Sequence, residues 1–242
     1  MSWLGMLLIG FAVTDLTHSV RKVRHLPECV GALVALVVGL LAGLTSPRDV
    51  LALFAVVAAV LVWGQTVTWG FGRHGSAWLP LAVFLLSLTV AVACSGLAPE
   101  SAGLIDRWLD SVALPALDGL SADRFLLLLG AFGIQLSTGN VLVRLVLKST
   151  GTIHPLADGT MPRTRLKGGR LLGPLERLFV LALALGGQVT AASVVVAAKG
   201  LLRFPELSSR RDQERIHQMT EYFLLGSFVS WLVALGSFVL LS

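Results

Sequence analysis

"LERLFVLALALGGQVTAASVVVAAKGLLRF", residues 175–204, has no charged residue between Arg177 and Lys199. Glu176 and Arg177 open the stretch, Lys199 and Arg203 close it, and Gly186, Gly187 and Gln188 interrupt its centre. An apolar run of this length, bracketed by charge, is the pattern of a helix that crosses a bilayer, whose core is about 30 Å thick and takes about 20 residues. The glycine pair admits a second reading, in which the helix breaks halfway and returns to its side of entry. Such breaks are tolerated at membrane depth where they line a cavity. The extent of 175–200 favours one continuous span, since it matches one helix and is short for a hairpin.

Composition places the whole chain in the same solvent. Its 242 residues are 55% hydrophobic and 14% charged, with mean hydropathy +0.81. Soluble domains carry about 25% charged residues. A chain this apolar cannot cover itself with polar surface, so lipid is its natural surrounding. The net charge of +5 does not call for nucleic acid, because a membrane protein concentrates its cations in cytoplasmic loops.

Read with a 20-residue window, the chain is an all-α, polytopic bundle of about seven spans in one transmembrane domain. The spans fall near 2–20, 29–46, 50–71, 77–98, 124–147, 175–200 and 221–241. Orientation follows from loop charge. "RKVRH" (21–25) and the segment 144–177, with Arg144, Lys148, Arg163, Arg165, Lys167, Arg170 and Arg177, belong in the cytoplasm. The acidic segment 99–124 belongs outside. These loops set the N-terminus outside and, with seven spans, the C-terminus in the cytoplasm. One loop disagrees: 199–220 holds Lys199, Arg203, Arg210, Arg211 and Arg215, yet seven full spans put it outside. Between spans, 101–120 reads as an outer interfacial helix with Leu104, Trp108, Leu109 and Val112 on one face. The Gly-, Pro- and Thr-rich stretch 149–170 reads as a basic cytoplasmic loop, able to lie against anionic headgroups.

Polar residues inside spans are costly and face protein or water. One group is Gln135, Ser137, Asn140 and Arg144, of which the last three share a helical face. It is the candidate lining of an intrabundle cavity, with Thr138 flanking and Gln65, Thr66 and Thr68 as candidate partners. A second is the stripe Arg177, Gln188 and Lys199, spaced 11 and 11, which falls on one face of a continuous helix. In that reading Gln188 faces Gln135, Asn140 and Arg144. The charges Glu176, Arg177, Lys199, Arg203 and Glu221 form a candidate cluster, with Glu221 neutralising Lys199 or Arg203. A third group is Asp15 and His18, at i and i+3, a carboxylate–imidazole pair suited to proton movement. Each group also fits a plain structural role, as interhelical glue or as interfacial charge.

Enzyme signatures are missing. The chain has no H-E-x-x-H, no Walker loop, no G-x-G-x-x-G and no C-x-x-C, so no catalytic set, metal or cofactor is expected. "LDGLSADR" (117–124) falls short of the Asp-Gly…Ala-Arg motif of enzymes that use CDP-activated lipids, and Asp118-Gly119 reads as a turn. Cys29 and Cys94 sit at the edges of apolar runs on opposite sides, so no disulfide is expected.

Three runs in order carry a resemblance: Gly169, Arg170, Gly173, Leu175, Glu176 and Arg177; then Ala197, Ala198, Lys199, Arg203 and Phe204; then Glu221, Tyr222, Gly226 and Ser227. They resemble the G-R-x-x-G-x-L-E-R, A-A-K-x-x-x-R-F and E-Y-x-x-x-G-[ST] runs of a family of uncharacterised bacterial integral membrane proteins. The likeness covers the C-terminal third. Asp15 matches an Asp of that family's first span, and His18 departs from the Gln that follows it there. The resemblance implies a bacterial cell's inner membrane as the location and the charged brackets as a recurring device, and it implies no activity.

The functional expectation is therefore binding or movement of a small polar or anionic solute, or of a lipid headgroup, through a polar cavity. Two other readings stand beside it. One is a membrane scaffold whose basic loops bind a cytoplasmic protein; the other is an intramembrane enzyme acting on lipid phosphate. The expected partners are the bilayer, anionic headgroups, a second copy or a cytoplasmic protein.

Overall fold

Helix α1, Ser2–Val20, is apolar on every side. It is also the most enclosed of the long helices: 67% of its apolar window is buried, against 33% for Pro47–Gly70 and 28% for Thr220–Leu241. A helix that hydrophobic all round belongs in the centre of a bundle. The computed structural model describes residues 1–21, 25–72, 75–112, 114–115, 117–152, 169–207 and 213–242, without the side chains of 169–170, 199–207 and 213–219. The described chain forms two compact units, Met1–Thr138 and Gly139–Ser242.

In the first unit α1 packs against α2 (Leu26–Leu41), α3 (Pro47–Gly70), α4 (Trp78–Ala93) and α6 (Ala122–Leu136). Local sequence sets the helix starts. Ser46 accepts from the Asp49 N–H ahead of Pro47, and Ser121 accepts from the Arg124 N–H. Both are N-caps that satisfy a free donor. The helix contacts are made by small residues. A Cβ on Gly130 would lie 2.7 Å from Leu8 Cβ and 2.9 Å from the Gly5 carbonyl oxygen, and one on Gly5 would lie 2.9 Å from the Leu126 backbone. α1 and α6 thus touch backbone to backbone, the close approach that stabilises helix pairs in lipid. Large apolar side chains fill the core, Phe11, Trp63, Leu4 and Leu126 among them, and others point outward: Leu33, Leu51, Phe54, Leu85 and Leu86 are all exposed.

α5, Leu104–Ser111, is shorter than the interfacial helix expected over 101–120. Pro115 lies just beyond its end and cannot donate to a continuing helix. Leu109 is buried, whereas Leu104 and Trp108 are exposed, and the Trp108 ring meets Phe125 at 5.8 Å.

The two spans expected near 124–147 and 175–200 are not continuous helices. The first breaks at Ser137 (φ −129, ψ −53), and α7 starts at the next residue and runs Thr138–Ser149. Here the Ser137 hydroxyl donates to the Ala12 carbonyl on α1 at 3.0 Å. The second is two helices, α8 (Gly169–Leu185) and α9 (Val189–Leu207). At the junction the Gly187 N–H donates to Ala184 O at 3.1 Å and the Gln188 N–H to Leu183 O at 2.8 Å. With Gly187 at φ +74, this is a Schellman end, and glycine makes the left-handed residue cheap. Val180 of α8, Ala192 of α9 and Ala234 of α10 (Gln213–Leu241) then form one buried cluster, against which Leu183, Val195 and Val196 pack. α8 and α9 fold back on each other, so the expected single stripe of Arg177, Gln188 and Lys199 does not exist.

Among the described residues all regular structure is helical. Three helices are long and apolar enough to cross a membrane: Ser2–Val20, Pro47–Gly70 and Thr220–Leu241. The α6–α7 pair makes a fourth if it is one broken span. The expected seven are not reached on length, because α2 and α4 have 16 residues each. Most of the basic segment 149–170 lies outside the described residues.

Candidate functional site

The second unit is built around Arg177. Arg177 lies on the α8 face that turns inward and is 1% exposed. Its guanidinium donates to Asn140 Oδ1 on α7 at 2.8 Å and to Ser230 Oγ on α10 at 3.0 Å. Gly139 makes room for it: a Cβ there would stand 2.6 Å from Arg177 Nε, whereas one on Gly173 would only touch Arg177 Nη1 and Asn140 Oδ1, at 3.6 and 3.5 Å. Glu176, next to it, accepts from the Trp231 indole N–H at 3.0 Å. So α7, α8 and α10 converge on one buried cation, which donates to two neutral oxygens and feels the charge of Glu176. A guanidinium carries a planar fork of donors that matches carboxylate and phosphate oxygens.

The first unit has its own polar centre. Asp15 is 4% exposed and accepts from Trp63 Nε1 on α3 at 3.2 Å, with the Thr138 hydroxyl beside the same carboxyl. Trp63 also stacks with Phe11 at 5.3 Å and Phe84 at 5.5 Å. One residue on, Gly64 leaves the space that the Glu28 side chain of α2 fills. Glu28 is buried, and its Oε2 has no hydrogen-bond partner among the described residues.

The expected site residues are dispersed by this geometry. Gln135 is fully buried, but its amide donates to the Ala131 carbonyl of its own helix at 2.9 Å. Ser137 is buried at the break. Asn140 is half-buried and meets Arg177; Arg144 is exposed, close enough to Tyr222 for its charge to be felt there. Gln188 is exposed at the hairpin turn and does not line an interior with Asn140. The physical reason is the break at Gly187, which takes Gln188 off the Arg177 face. Asp15 bonds Trp63 and not His18, which is half-buried one turn later. An i, i+3 pair shares a face, but the Asp15 carboxyl turns to the donor on α3. Glu176 and Arg177 stay together as expected, the charge of Glu176 acting on Arg177 while each also bonds a residue of α10, and Glu221 is exposed. The side chains of Lys199 and Arg203 lie outside the described residues, and so does the expected pairing with Glu221. Gln65 is exposed, and Thr66 and Thr68 bond carbonyls of their own helix at 3.0 Å. Among the described residues no group of three or more His, Cys, Asp or Glu could hold a metal ion.

Trp63, Glu28, Ser230 and Trp231 were not singled out in the sequence. Ser230 had a signal, since Ser227, Ser230, Ala234 and Ser237 recur at helical spacing and are all buried. Glu28 stands in the first turn of α2, where it reads as loop.

No protein-family model matches the chain, and neither the curated proteins nor the solved structures give a significant match. What fold and composition define is an all-helical protein with helices fit to cross a membrane.

Proposed function

We propose that this chain is a multi-pass protein of a bacterial inner membrane, N-terminus outside, that binds or moves a small anionic solute or a lipid headgroup. The recognition element in this reading is the Arg177–Asn140–Ser230 cluster. α2 and α4, 16 residues each, also cross, at about 24 Å each. They are short for a 30 Å core, a mismatch that local thinning of the bilayer absorbs. Exposed Trp69 and Trp78, at facing ends of α3 and α4, support an interfacial belt there. One observation carries the functional reading: a fully buried guanidinium that donates to Asn140 and Ser230, lies beside Glu176 and is given space by Gly139. A charge at membrane depth is expensive, and such residues mark solute or ion pathways.

The test is ligand-dependent stabilisation of the purified protein in detergent, with phosphate and phosphatidylglycerol as probes and phosphatidylethanolamine as control. An anionic probe at 100 times its Kd should add about 2.7 kcal/mol. The shift should be lost in Arg177→Lys, which keeps the charge and loses the donor fork, and weakened in Asn140→Ala. Equal shifts in wild type and both variants would sink the reading.

A further inference from the structure

We infer that α8 and α9 cross the membrane as a helical hairpin, so that the chain before α8 and the chain after α9 lie on one side and the C-terminus lies on the other. The inference does not depend on what the Arg177 cluster binds.

Three sets of contacts, all inside the second unit, fix the direction of its helices. First, α8 and α10 run parallel. Arg177 meets Ser230 and Glu176 meets Trp231, and three residues further along α8, Val180 shares a buried cluster with Ala234. An antiparallel α10 would bring Ser227 to that level instead. Second, α7 runs antiparallel to both. Its start meets Arg177 through Gly139 and Asn140, while Val143 and Leu147, further along, lie 3.6 and 3.8 Å from a Cβ on Gly226, which precedes Ser230. Third, two successive parallel helices, α8 and α10, need a return between them, and α9 is that return. It starts from the Schellman end at Gly187 and sets Ala192 against the α8–α10 seam.

The length of α8 argues for a full crossing: its 17 residues make about 25 Å at the helical rise, against a core of about 30 Å. The apolar part of α9, Val189–Ala198, is shorter, about 15 Å, so its return to the basic side takes in the turns that carry Lys199 and Arg203, residue types that snorkel toward headgroups. α8 is also matched along its length by α10, whose 22-residue apolar span runs Thr220–Leu241. Ser230 falls near the middle of that span, so Arg177 sits near mid-membrane.

This direction removes the conflict in loop charge. With a single span over 175–200, Lys199, Arg203, Arg210, Arg211 and Arg215 faced outside. With the hairpin they share a side with Arg144, Lys148, Arg163, Arg165, Lys167 and Arg170. Both basic segments then obey the positive-inside rule. The consequence is a C-terminus outside, opposite to the cytoplasmic end that an odd number of spans gave.

Single-cysteine mapping tests this in the full chain, with Cys29 and Cys94 replaced by Ser and Ala. The probes are Ala102→Cys, Thr150→Cys, Gln188→Cys and Ser242→Cys, none of which is buried. An impermeant maleimide is applied to spheroplasts before and after permeabilisation. Gln188→Cys and Ser242→Cys should label with Ala102→Cys in intact cells, and Thr150→Cys only after permeabilisation. Ser242→Cys behaving like Thr150→Cys would overturn the hairpin. Protection of Gln188→Cys while Ser242→Cys labels would overturn the full crossing.

Discussion

Arg177 and Asn140, 37 residues apart in the chain, meet at 2.8 Å, guanidinium to amide oxygen. The contact joins α7 to α8, and Ser230 from α10 accepts from the other terminal nitrogen. Asn140→Ala should therefore lower the stability of the detergent-solubilised protein by about 1.5–3 kcal/mol, the range for a hydrogen bond to a charged group. Asn140→Asp keeps an acceptor and adds the opposite charge, so it should hold or raise the melting temperature. A fall of equal size for both variants would mean that the amide acts through packing and not through Arg177.

The Trp63–Asp15 bond makes a parallel case in the first unit. Trp63→Phe removes the indole N–H that Asp15 accepts at 3.2 Å and leaves a ring to stack on Phe11 and Phe84. Leaving a buried acceptor unmet costs about 1–3 kcal/mol. Asp15→Leu in the Trp63→Phe background should regain part of that loss. A double-mutant cycle with no coupling energy would argue against the bond.

Gly130 is the sharpest test of the α1–α6 contact. A methyl there would lie 2.7 Å from Leu8 Cβ and 2.9 Å from the Gly5 carbonyl, and backbone cannot swing aside as a long side chain can. Gly130→Ala should cost about 1–3 kcal/mol through overpacking. Gly236→Ala, which meets nothing within 4 Å, should stay within about 0.5 kcal/mol of wild type. Thermal unfolding followed by tryptophan fluorescence measures both, and indistinguishable variants would contradict the close approach.

At the hairpin turn the two glycines should behave differently. Gly187 holds φ +74, a conformation that costs an L side chain about 1–2 kcal/mol. Gly186 has ordinary backbone and meets only Ala182 and Leu183 carbonyl oxygens, at 3.4 and 3.6 Å. Gly187→Ala should destabilise the protein measurably more than Gly186→Ala. The reverse order would place the helix end elsewhere.

The amino-acid sequence by itself determined how apolar this protein is and the places where helices form. Apolar content, the length of uncharged runs, and caps such as Ser46 and Ser121 need no partner to act, so the helical segments near 2–20, 50–71 and 221–241 were legible within a few residues. What only the tertiary structure decided was which side of each helix faces protein. In water, a 3.6-residue hydrophobic period marks the inward face. In lipid both faces are apolar, so the period is silent, and Gln188 and Asn140 looked equally suited to an interior. The same holds for the Gly186–Gly187 break. A continuous helix and a hairpin have the same local composition; the hairpin is chosen by Val180, Ala192 and Ala234 coming together, a contact among three helices. Arg177 likewise has a terminal bracket's sequence and a buried hub's position, because its partners at Asn140 and Ser230 exist only once α7 and α10 have packed against α8.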